Sequence, residues 1–218
     1  MTTKTVHELA ALLDEAARDR RTIATWSATN QLSAAEAYEI QEQLVDLRIA
    51  RGARLVGGKL GLTSKAKQQA MGVHQPLYGF VTSDMLADGA DIDLGRFIHP
   101  RVEPEIAFVL AQPVEGPDVD AAGVLAATAY VCVALDVIDS RYDGFSFTHV
   151  DAIADNASSA AFALGHDLVA PGMDLGLVGC LLEIDGVVVD SAAGAAVMGH
   201  PANAVAHMAN ALAAIGKR

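Results

Sequence analysis

Cysteine, basic charge and long apolar runs are all scarce in this 218-residue chain, and each scarcity removes a class of protein. Only Cys132 and Cys180 are present, far apart and in apolar settings, so they read as reduced core residues rather than a disulfide or half of a zinc site. The 15 Lys and Arg residues do not cluster, and against 27 acids they leave a formal charge of −12. Nucleic acid requires a basic face, so that partner is excluded. No uninterrupted apolar run is long enough to span a bilayer, and the start, Met1-Thr2-Thr3-Lys4-Thr5-Val6-His7, lacks the apolar centre of a secretion signal. The expectation is a soluble, cytoplasmic protein without a membrane partner, in which the sequon Asn156-Ala157-Ser158 carries no meaning. No internal repeat or low-complexity linker breaks the chain.

An apolar share of 52% can fill a substantial core, in a chain long for one domain but short for two equal ones. The reading is a single catalytic domain over 1–218, helical to about residue 54 and β-rich from 55 to 218. Apolar spacing at Leu9, Leu12, Leu13 and Ala16 predicts a helix from Val6 to Arg18. Ser33-Ala34-Ala35-Glu36 is a capping box opening a second helix, with Ala37, Ile40, Leu44 and Leu47 as its buried stripe and Gly52 at its end. Short apolar runs then predict strands at Leu55–Leu62, Val102–Leu110, Ala129–Ile138, Ala160–Leu164, Val178–Ile184 and Val187–Ala192. Asp185-Gly186 joins the last two as a hairpin turn. A final helix runs from Asn203 towards Ile215, with Pro201 near its start.

One run carries chemistry. In Val102-Glu103-Pro104-Glu105-Ile106 the two carboxylates are two residues apart, so on a strand they share a face. Two such groups repel unless a cation lies between them, and hard Mg²⁺ or Mn²⁺ favours all-oxygen ligands. The same alternation also fits a solvent-exposed strand face. Pro104, which cannot donate to a ladder, weighs against an ordinary central strand. A third carboxylate is available from Asp136, which interrupts an apolar run, or from Asp139, whose plainer reading is an ion pair with Arg141 or a turn cap.

Lys59 is embedded in Val56-Gly57-Gly58-Lys59-Leu60-Gly61-Leu62-Thr63-Ser64, where its ammonium is a general acid, a base, an electrostatic clamp or simply a snorkelling surface group. A phosphate loop does not fit, since Gly52 lies one residue too far back and Leu60 follows the lysine. His74 and His99 are further candidates. Val150 to Ser159 fits either a binding loop or a capped helix start, and pattern alone favours the cap.

Together, Gly58 to Ser64, Pro76-Leu77-Tyr78-Gly79, Val102 to Phe108, Ala134 to Arg141 and Ile153 to Ser159 resemble the hydratase/decarboxylase branch of the fumarylacetoacetate hydrolase superfamily. These enzymes process 2-hydroxymuconate-derived acids in meta-cleavage degradation of aromatics. The resemblance runs over nearly the whole chain and implies an α+β fold, a helical N-terminal segment packed on a mixed β-roll of that superfamily's C-terminal-domain type. It implies Mg²⁺ or Mn²⁺ on Glu103, Glu105 and Asp136, where many relatives carry Glu in place of Asp136. It places Lys59 and Asp155 in catalysis, and Leu77, Tyr78 and Ser158 around the substrate, a small 2-oxo dicarboxylic acid.

Within the branch, Ile98 to Glu105, Ser140-Arg141-Tyr142 and the pair Phe145 and Phe147 resemble the decarboxylases of 2-oxo-3-hexenedioate more than the hydratases of 2-hydroxypenta-2,4-dienoate. Hydratases tend to carry an acid where Leu77 stands, and loss of CO₂ benefits from a dry, apolar pocket. Lys59→Met is expected to lower turnover while leaving metal affinity nearly intact. Relatives usually continue past Gly216-Lys217-Arg218 with strands that complete the roll and a Gly-rich loop, so the last strands are expected to be missing here. The alternatives are a hydratase, a non-catalytic subunit in complex with a hydratase, and, by superfamily analogy, an acylpyruvate hydrolase; a homo-oligomer is expected.

Overall fold

The computed structural model describes residues 3–27, 31–70, 72–87 and 91–217, so the readings of Met1-Thr2 and of Arg218 lie outside the described residues. It mixes helix and sheet. In chain order come α1 (Thr3–Asp19), α2 (Ala34–Ala50), β1 (Leu55–Gly61), α3 (Lys65–Ala70), β2 (Leu77–Thr82), β3 (Arg101–Leu110), α4 (Ala121–Ala127), β4 (Thr128–Ile138), α5 (His149–Ala154), β5 (Ser159–Leu164), β6 (Gly179–Ile184), β7 (Val187–Ala193) and α6 (Pro201–Ala214). β1 pairs antiparallel with β2, β6 with β7, and β3, β4 and β5 form a sheet in that order. β3 is thus an edge strand, where Pro104 is tolerated.

The chain divides into two compact units. The first comprises Met1–Gly61, Leu77–Glu103 and Leu135–Ala163. Its helix α2 starts as the capping box requires: the Ser33 hydroxyl accepts from the Glu36 amide at 3.3 Å, and the Glu36 carboxylate accepts from the Ser33 amide at 3.0 Å. The buried stripe is Ala37, Ile40, Gln41, Leu44 and Val45, so Gln41 and Val45 take the place expected for Leu47, which is half-buried. Gln41 is fully buried because its amide nitrogen donates to the backbone oxygens of Tyr78 and Ile153, both at 2.9 Å, tying α2 to β2 and α5. α1 buries Val6, Leu9, Ala10, Leu13 and Ala16, and its Asp14 takes both guanidinium nitrogens of Arg51 at 2.6 and 2.7 Å.

The second unit comprises Leu62–Pro76, Pro104–Ala134 and Leu164–Arg218. Val124 of α4 packs on Ala202 and Ala206 of α6, surrounded by Phe108, Val119 and Leu125. Small alanines on α6 allow this close approach, and the Asn210 side chain brackets Val119 by donating to its carbonyl and accepting from its amide. β6 and β7 form the hairpin read from Asp185-Gly186, both with positive φ (52° and 77°), as the tight turn matching strand twist demands.

Candidate metal centre and its lysine

Glu103 and Glu105 share a face of β3, and Asp136 projects from the neighbouring β4. Each of the three offers a carboxylate oxygen, and these oxygens lie within 4.8 Å of one another. Asp136 is buried at 6% exposure; Glu103 is half-buried and Glu105 more open. Burial raises the Asp136 carboxyl above its ordinary range; Lys59 pulls it back and the nearby Glu103 charge adds to the rise.

Lys59 lies opposite Gly79 in the β1–β2 register, and its ammonium donates to Oδ2 of Asp136 in a close ion pair and to the Ala157 carbonyl at 3.2 Å. The snorkelling alternative does not hold, since the Lys59 side chain is only 12% exposed. The other oxygen of Asp136, Oδ1, is buried with no hydrogen-bond partner. A buried carboxylate oxygen left unsatisfied costs a few kcal/mol, roughly 1 to 3, unless something outside the chain satisfies it. The donor set is all oxygen, anionic and confined, so the residues fit a hard divalent cation.

Next to Lys59 the backbone is unusual. Asn156, Ala157 and Ser158 have φ of 52°, 54° and 55°, three consecutive non-glycine residues in the left-handed region, at a cost of about 1–2 kcal/mol each. The short helix α5 leads into it. Thr148 and Asp151 form a second capping box, and Asp151, fully buried, also accepts from the Ser27 hydroxyl at 2.5 Å. The stretch read as a loop or a capped helix start is therefore both: cap first, then a turn that reaches Lys59.

Asp155 is fully buried, and its carboxylate pairs with the Arg141 guanidinium while accepting the Arg141 amide at 3.2 Å. Burial pushes its carboxyl up to about 6 against the pull of Arg141. Of the two plainer readings of Asp139, an ion pair with Arg141 or a turn cap, the structure shows the cap. Arg141 instead donates to the Asp139 backbone oxygen at 2.7 Å, while the Asp139 carboxylate caps the amides of Ile98 and His99 at 2.8 and 2.7 Å. That capping is the plainer reading of Asp139, and it leaves Asp136 as the third acid beside the two glutamates.

The remaining sequence candidates separate cleanly. Leu77 is buried on the same face of the β1–β2 pair as Lys59, since residues 77 and 79 alternate in phase. Tyr78 is on the opposite face, its ring stacked on Tyr38 at 4.3 Å and edge-on to Phe80 at 5.8 Å, so it is not brought towards Lys59. Ser158 is buried in the left-handed turn with its hydroxyl 3.5 Å from Asp155. His74 is exposed, and the His99 ring lies 2.6 Å from the Ser140 carbonyl and beside Phe145. Sequence reasoning missed Asn156 and the Ala157 carbonyl. The available signal was asparagine itself, which tolerates the left-handed region better than most residues.

No protein-family model matches the chain. It is 44% identical over 185 residues to the 4-oxalocrotonate decarboxylase of Pseudomonas sp. (strain CF600), covering 84% of this chain and 70% of that one. It is 39% identical over 215 residues to the 2-hydroxypent-2,4-dienoate hydratase of Pseudomonas putida, covering 97% of each. Among solved structures, the 4-oxalocrotonate decarboxylase from Pseudomonas putida G7 complexed with magnesium and adipate matches with a TM-score of 0.95 and 39% identity, over 100% of this chain and 84% of that one. The same enzyme complexed with calcium and acetate gives a TM-score of 0.93 at 38% identity. The chain belongs to the family of 4-oxalocrotonate decarboxylases and 2-hydroxypentadienoate hydratases.

Proposed function

We propose that this chain is a divalent-metal-dependent carboxy-lyase that converts 2-oxo-3-hexenedioate (4-oxalocrotonate) to 2-hydroxypenta-2,4-dienoate and CO₂. The observation that carries the choice of decarboxylation is Leu77, a buried apolar side chain on the face of Lys59, where relatives that add water tend to carry an acid. Adipate, held by the matched decarboxylase, is likewise a six-carbon dicarboxylate.

Glu103, Glu105 and Asp136 would hold Mg²⁺ or Mn²⁺. When bound, such an ion supplies Lewis-acid polarisation of the 2-oxo acid end of the substrate. In the reaction the C5–C6 bond breaks, CO₂ leaves, and the electron pair moves through the conjugated chain to the C2 oxygen, which takes up a proton. Lys59 has three ammonium hydrogens, two of them directed at Asp136 and Ala157. The third is assigned to the C2 oxygen, where it stabilises growing negative charge or delivers the proton. Leu77 excludes water from the departing carboxylate, and the turn at Asn156 to Ser158 closes the site beside Lys59. Asp155, whose carboxylate pairs with Arg141, supports that turn.

The extended match to a hydratase favours a second reading, addition of water to 2-hydroxypenta-2,4-dienoate. Incubation of the purified chain with Mg²⁺ and each acid separates the two: CO₂ release supports decarboxylation, and loss of dienol absorbance without CO₂ supports hydration. The same proposal extends to a strand arrangement of the fumarylacetoacetate hydrolase type, a homo-oligomer, association with a hydratase, and a cytoplasmic location. No helix among the described residues is long and apolar enough to cross a membrane.

A further inference from the structure

We propose that Asn156 is a positioning residue that sets the Lys59 ammonium, acting through the Ala157 carbonyl; this rests on the role assigned to Lys59 above. Alanine and serine have no reason of their own to enter the left-handed region, so the turn at 156–158 is imposed by its neighbours. The strongest of these is a clamp. The Asn156 side chain donates to the Phe80 carbonyl and accepts from the Phe80 amide, both at 2.8 Å, pairing with β2 much as a further strand would. Gly79, next along β2, lets the turn come close: a Cβ there would meet the Asn156 backbone oxygen at 2.9 Å and the Ala157 Cβ at 3.0 Å. The Ser158 carbonyl is fixed by the Asp139 amide at 2.8 Å.

What the clamp positions is specific. Lys59 sits opposite Gly79 in the strand register, and the Ala157 carbonyl receives its ammonium at 3.2 Å. One short stretch of β2 therefore aligns the lysine through Gly79 and holds its acceptor through Phe80. Without the amide clamp the carbonyl is released, and the ammonium is left with Asp136 alone and a wider range of orientations.

Reductive methylation by formaldehyde and cyanoborohydride, read lysine by lysine by mass spectrometry, tests this independently of turnover. Asn156→Gly deletes the clamp yet permits a left-handed backbone, so the fold is expected to be retained. Methylation of Lys59 is expected to rise about fivefold or more while Lys65 and Lys67 stay at their original rates. With Mg²⁺ present, kcat is expected to fall about tenfold with KM within about twofold. Gly79→Ala, whose Cβ would press on the Asn156 backbone oxygen, the Ala157 Cβ and the clamp oxygen Oδ1 of Asn156, should give the same Lys59 signature and stands in if Asn156→Gly does not fold. Ala157→Gly keeps the clamp and should leave Lys59 protected. Unchanged Lys59 methylation in folded Asn156→Gly overturns the proposal, as does an equal rise in Ala157→Gly. A rise without any change in kcat supports the positioning and counts instead against a catalytic Lys59.

Discussion

Replacing Lys59 by methionine is the perturbation whose consequences the structure specifies most fully. The Lys59 and Asp136 side chains are 12% and 7% exposed, and one carboxylate oxygen each of Glu103, Glu105 and Asp136 lies within 4.8 Å of the other two. At an effective dielectric constant near 20, two such charges 4.8 Å apart repel by about 3.5 kcal/mol. Lys59 offsets part of that repulsion, and deleting one partner of a buried pair typically costs about 3–5 kcal/mol. Protonation of Asp136, already displaced upwards by burial, relieves some of the loss, so about 3 kcal/mol is expected near neutral pH, a fall in Tm of roughly 6–12 °C for a chain of this size.

Divalent metal should reverse the effect. Wild-type ammonium competes with a cation for Asp136, so Lys59→Met is expected to bind Mg²⁺ more tightly, where the sequence alone led to an affinity nearly intact. Saturation at about 100 times Kd stabilises by roughly 2.7 kcal/mol. Urea unfolding followed by circular dichroism, with chelator and with Mg²⁺, measures both quantities. The reasoning is refuted if the variant equals wild type in chelator, or if Mg²⁺ stabilises both proteins by the same amount.

Two further outcomes are expected from the first unit. Gln41→Leu removes a buried amide that serves two carbonyls; the Ile153 oxygen keeps the Asp155 amide while the Tyr78 oxygen loses this donor, so a loss of about 1–3 kcal/mol should appear in urea unfolding. For pH, burial lifts the Asp155 carboxyl from its ordinary 3.8 to about 6, so the folded chain holds that proton more tightly than the unfolded chain. This contribution is fully present below about pH 4 and is lost as pH rises through about 6, on the order of 3 kcal/mol in all. Unfolding measured between those limits should show the decline, and stability rising steadily with pH over that window would contradict it.

How far the sequence was legible follows from how local each signal is. The Ser33 capping box and the Asp185-Gly186 turn are contained in a few residues, and both appear as read. Six strand ranges were legible from apolar runs, but β2 was not, because Leu77-Tyr78-Gly79 reads as a loop motif after Pro76. The glutamates of the candidate centre were visible because their two-residue spacing forces a shared face on any strand. The ion pair of Asp136 with Lys59 was not, since it joins residues 77 positions apart. Arg141 illustrates the limit: nearness in sequence pointed to Asp139, while the fold gives it Asp155 and uses Asp139 to cap the amides of Ile98 and His99. The left-handed turn was hidden for the same reason, because β2 imposes it from 76 residues away.

Mn²⁺ binding followed by electron paramagnetic resonance on the wild-type chain, Glu103→Gln and Glu105→Gln, with folding checked in each, tests the three-carboxylate centre directly. One tightly held ion per wild-type chain, weakened at least about tenfold by either substitution, is the expected result. Retention of that ion at full affinity in both folded variants, or no binding by folded wild type, would contradict it.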